Sequence, residues 1–144
     1  MLKKNLYGID LEYEFRIYKN IGKNYKKTKK RTRYFVCHTY TDWKRHVAKS
    51  TKHLKKADRV NFLHYVIGEK RDSQCLAQLV SLVFIPVFVA FLDILKGQPE
   101  ATELENFGKF LILAAMCAFY SVFMLRIEKH ICFLKDMVRI IEQE

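Results

Sequence analysis

The sequence predicts a mainly α membrane protein: a two-helix transmembrane hairpin with cytoplasmic amphipathic helices and a small N-terminal β-hairpin. Three observations predict it. Apolar residues make up 50% of the 144-residue chain, yet they concentrate in two runs, 75–95 and 107–125, instead of spreading through one soluble core. Residues 1–74 carry 20 Lys/Arg against 7 Asp/Glu, more than the whole formal charge of +11. An apolar repeat then continues beyond the second run with no Gly or Pro to interrupt it. A chain of this length holds one domain, or one domain plus an anchor. The layout excludes an ordinary soluble enzyme built on one large core.

Residues 1–40 form a basic N-terminal segment. Residues 11–18, Leu-Glu-Tyr-Glu-Phe-Arg-Ile-Tyr, alternate apolar with polar side chains and are rich in aromatic and β-branched types, which predicts a strand. Residues 34–40 have a similar composition. Between them, residues 19–33 combine Asn20, Gly22 and Asn24 with a dense run of Lys and Arg, the profile of a solvated hairpin tip. The competing reading is a helix that uses Leu6, Ile9, Tyr13, Ile17 and Ile21.

Residues 41–72 read as a basic amphipathic juxtamembrane helix. Thr41 and Asp42 supply an N-cap and a first-turn acid, and Trp43, Val47, Leu54, Ala57, Leu63 and Ile67 give an apolar line as far as Gly68. The other faces carry Lys44, Arg45, Lys49, Lys52, Lys55, Lys56 and Arg59. Membrane lipids are the first expected partner, since a Lys near an anionic headgroup contributes about 1 kcal/mol. A nucleic acid or a nucleotide signal is the sharper alternative. Tyr25, Tyr34 and Phe35 interleave with Lys26, Lys27, Lys29, Lys30, Arg31 and Arg33, as stacking plus phosphate contact requires.

Residues 73–126 are the transmembrane hairpin. The run 75–95 rises about 30 Å as a helix, the thickness of a hydrocarbon core. The run 107–125 is shorter and holds Lys109 near one end, where its ammonium snorkels to the headgroups. Lys96, Gly97, Gln98 and Pro99 stop the first helix. Lys70 and Arg71 before the first span, and Arg126, Lys129, Lys135 and Arg139 after the second, predict that both termini face the cytoplasm of a cell (inner) membrane. Residues 1–30 contain no apolar stretch of signal-peptide type but do contain Asp10, Glu12 and Glu14.

Inside the first span, Gln78, Pro86 and Asp93 fall within about 80° on a helical wheel. With Ser81 they are the pore-lining candidates, although a carboxylate near a helix end is also an ordinary interfacial group. Ala77 and Ser81, and Ala114 and Ala118, are small residues at i, i+4 spacing that let helix backbones approach closely. A lone hairpin offers such polar groups few partners, which predicts a homo-oligomer.

Residues 127–144 form the tail. Ile127, Ile131, Leu134, Val138 and Ile141 recur at heptad spacing, and Phe133, Met137 and Ile140 add a second stripe. One long helix leaves the membrane, with a face too broad for a single partner helix. It packs on the chain's own N-terminal half or on a neighbouring subunit.

The sequence offers little for bond-making chemistry. Arg59 and His64 match an R-x4-H pattern that resembles the catalytic motif of HEPN-type ribonucleases, in which the Arg and His of paired subunits meet around a scissile phosphate, His as acid or base and Arg steadying its charge. The competing reading is a Lys-rich helix with His64 at an interface, and a true site predicts RNA cleavage that His64→Ala abolishes. His38, His46, His53 and His130 lack partners at metal-ligand spacing, so no metal or cofactor is expected. Cys37, Cys75, Cys117 and Cys132 are scattered as free thiols would be.

The order of parts, basic helix, two spans and cytoplasmic tail helix, resembles the two-span SLATT effectors over about the last hundred residues. That resemblance implies a non-enzymatic effector of antiphage defence that oligomerises into a membrane pore and receives a signal through its cytoplasmic part. The alternative expectation is a membrane-anchored adaptor that holds a nucleic acid or a partner protein at the inner leaflet.

Overall fold

The computed structural model describes residues 7–21, 37, 39–96 and 103–143. Four helices account for most of them: α1 (Leu11–Asn20), α2 (Tyr40–Lys52), α3 (Lys56–Lys96) and α4 (Glu103–Gln143). The chain divides into two compact units. One combines Met1–Arg71 with Lys129–Glu144, and the other is Asp72–Glu128.

Residues 11–18 are helical, which corrects the strand expected there, and no strand forms among the described residues. The reason is local. The Asp10 carboxylate accepts hydrogen bonds from the backbone N–H groups of Glu12 (3.0 Å) and Tyr13 (3.2 Å), satisfying donors that a helix start leaves open. Glu12 and Arg16 pair one turn apart, and Glu12 and Glu14 suit the positive end of the helix dipole. Leu11, Glu14 and Ile17 form the buried face. Most of the expected second strand, and the basic tip between the two, lie outside the described residues.

The single helix expected over residues 41–67 is two helices. Its cap is Thr39 instead of Thr41: the Thr39 hydroxyl accepts from the Asp42 N–H (3.1 Å), and Asp42 Oδ2 accepts from the Thr39 N–H (3.2 Å), a capping box. α2 ends at Lys52, where Thr51 turns its hydroxyl back onto the carbonyls of Val47 and Ala48 and the Leu54 N–H reaches the Thr51 carbonyl. α3 then runs through Gly68, where a stop was expected, to Lys96. α4 is one helix through second span and tail.

All four helices contribute to the core of the unit that holds both ends of the chain. Trp43 and Val47 come from α2, Phe62 and Val66 from α3, Phe133, Leu134, Met137, Ile140 and Ile141 from α4, and Leu11 and Ile17 from α1. Each large side chain removed from water there contributes about 1.5–3 kcal/mol. Tyr18, Trp43 and Phe133 pack as a ring cluster, with centroids 4.8 Å apart for Tyr18–Trp43 and 5.8 Å for Trp43–Phe133. The tail therefore packs on the chain's own N-terminal half. Its buried side centres on Phe133, Met137 and Ile140, while Ile131 and Val138 of the heptad seam are only half-buried.

In the other unit the two helices meet through polar and aromatic side chains. Ser81 Oγ lies 2.9 Å from the Tyr120 hydroxyl, and the Phe84 ring stacks on Tyr120 at 4.1 Å. Both helices include a stretch long and apolar enough to cross a membrane, and almost none of it is buried.

Candidate functional site

Two surfaces carry the residues singled out by sequence. The first is on the hairpin. Gln78, Pro86 and Asp93 are all exposed, whereas Ser81 is half-buried and donates to the Ala77 carbonyl at 3.0 Å besides meeting Tyr120. Ser81 thus belongs to the contact between helices, and the other three remain on an open face. Around them stand Leu82, Val83, Ile85 and Ile94, each more than half exposed. Ala77 is half-buried while Ala114 and Ala118 are exposed. Tyr120 and Phe84 were not singled out by sequence. The available signal was the phenol itself, a hydroxyl within an apolar run that needs a polar partner.

The second surface is the outer side of α2 and the turn after it. Trp43, Val47 and Thr51 face the core, which turns Arg45, Lys49 and Lys52 outward, and Lys55 and Lys56 follow, all five exposed. Among the described residues none of the five pairs with a carboxylate. Lys26, Lys27, Lys29, Lys30, Arg31 and Arg33 lie outside the described residues.

Arg59 is half-buried and its guanidinium donates to the Ile141 carbonyl at 2.9 Å, while His64 is exposed. Lys44 donates to the Gln143 side chain at 3.0 Å. These two cations stand at the negative end of α4, whose own last turn has no basic residue.

Beneath α2 lies a buried polar cluster. Glu14 is 5% exposed, accepts from Trp43 Nε1 at 3.1 Å and sits 3.1 Å from His46 Nε2. Burial raises its carboxyl above the ordinary range, and His46 and Trp43 pull it part of the way back. The Cys37 thiol, buried and facing the charges of Glu14 and Asp42, is pushed up to about 11. Tyr18 donates to Asp136 Oδ2 at 2.8 Å, and burial with that carboxylate raises its phenol. Burial lowers His130, with Glu69 opposing. All four cysteines are free, and among the described residues no cluster of side chains suits a metal ion.

No family model, curated protein or solved structure matches the chain. The reading of these surfaces therefore rests on their chemistry.

Proposed function

We propose that the chain is an integral membrane protein whose hairpins assemble, copy against copy, into a pore, with the basic folded unit on the cytoplasmic side as its control domain. The observation that carries this is the open face of the hairpin. Gln78 and Asp93 are exposed on helices otherwise covered in bare Leu, Val, Ile and Phe. In a bilayer an isolated hairpin leaves such groups against lipid, which is costly, whereas several copies turn them onto a shared water-filled line. Residues from both flanks of the hairpin share one core, which supports a topology with both flanks on one side. The excess of Lys and Arg makes that side the cytoplasm. On this reading the chain does no bond-making chemistry, as the likeness to the SLATT effectors also implies.

Light scattering of the protein in nanodiscs tests the assembly: an oligomer of at least four copies is expected, and a monomer or dimer rejects a central pore. Liposomes holding the protein should release dye, and Asp93→Ala should change the rate.

A second reading follows from the folded unit having its own core. The hairpin would then be an anchor for an adaptor, and replacing it with an unrelated hairpin would leave function intact.

A further inference from the structure

We propose that the outer face of α2, with the turn into α3, is a docking surface for a nucleic acid held through its phosphate backbone. Arg45, Lys49 and Lys52 recur at four- and three-residue spacing and so share one side of the helix, with Lys55 and Lys56 next in the chain. All five are exposed, and among the described residues no carboxylate neutralises them. The one acid of α2, Asp42, is held by the Thr39 cap. Like charges at these spacings repel, so the face gains when phosphates settle against it.

Two features of the face select the ligand class. A basic membrane-surface helix adds to its charge the burial of its apolar side in the headgroup boundary. Here that side is closed, because Trp43 and Thr51 are 0% and Val47 2% exposed within the protein's own core. Between Arg45 and Lys52 no large apolar side chain is exposed, and what remains outside is charge, which suits a polyanion in water. Arg45 and Lys52 also stand about 10 Å apart along the helix axis, a reach that engages successive phosphates of a chain better than one isolated group. The surface stands whether or not the hairpins conduct.

The test uses the full chain in phosphatidylcholine nanodiscs and a labelled single-stranded oligonucleotide of mixed sequence, read by fluorescence anisotropy over a salt series. The triple variant Arg45→Glu, Lys49→Glu, Lys52→Glu should weaken binding about tenfold or more. It should also flatten the dependence of log K on log salt by about 2, three contacts at about 0.7 each. Because the three side chains are exposed, the thermal midpoint should hold. If the glutamates prevent folding, the corresponding Gln variant reads the same slope. Unchanged affinity and slope in either folded variant would overturn the proposal. So would a protein that leaves the oligonucleotide free and captures phosphatidylserine vesicles through the same three residues.

Discussion

Glu14 shows how a side chain's chemistry can mislead about its place. Read in an alternating run it belongs on the wet side of a strand, yet it is buried because Trp43 and His46 supply the partners that a carboxylate needs away from water. Those partners are 29 and 32 residues away in sequence, and no local pattern announces them. The buried thiol and phenol have a consequence for pH. Cys37 holds its proton more tightly in the folded chain than in the unfolded one, so its contribution to stability is constant below pH 9 and is lost as pH rises towards about 11. Tyr18 adds to the loss in the same direction. Denaturant midpoints measured across that window should drop, and Cys37→Ala should flatten the drop. Glycines give a paired expectation. Gly8 has φ +79°, so Gly8→Ala should cost about 1–2 kcal/mol. Gly68 is inside α3 with open space where a Cβ would go, so Gly68→Ala should stabilise by about 0.5–1 kcal/mol. Opposite shifts in thermal midpoint check both.

At the scale of elements, legibility followed length and period. The two apolar runs and the tail are long and uninterrupted, and they appear as the two longest helices. The break between α2 and α3 was hidden by the line Trp43, Val47, Leu54, Ala57, Leu63 and Ile67, which runs through it at near-helical spacing. In α3 the buried side is Phe62 and Val66, while Ala57 and Ile67 are exposed. The start of α1 was legible in principle: Asp10 followed by Glu12 and Glu14 is a helix-start signature that the alternation of residues 11–18 outweighed. Arg59 was noticed for a catalytic pattern, and its guanidinium also reaches the Ile141 carbonyl near the end of α4. Arg59→Ala should cost about 1.5–3 kcal/mol, the range for a hydrogen bond from a charged donor, and chemical denaturation of the purified protein measures it. The same change in exposed Lys55 should cost almost nothing.

At the scale of the molecule, spacing singled out Gln78, Pro86 and Asp93, and all three are exposed, as is nearly all of the apolar stretch around them. The basic face of α2 was legible only as a row of cations, because the apolar side of α2 is covered by Tyr18 of α1 and Phe133 of α4, both distant in sequence. The folded unit is therefore discontinuous: Trp43, Phe62 and Val66 wait for Phe133, Leu134 and Met137. A ribosome delivers those residues only after the two long apolar stretches have been made. On the proposed topology, folding of this unit would report on insertion of the hairpin, because a chain whose second span fails to return its tail to the starting side leaves Trp43 without Phe133. Such a chain displays raw tryptophan and phenylalanine to the quality-control machinery, and the correctly threaded one does not.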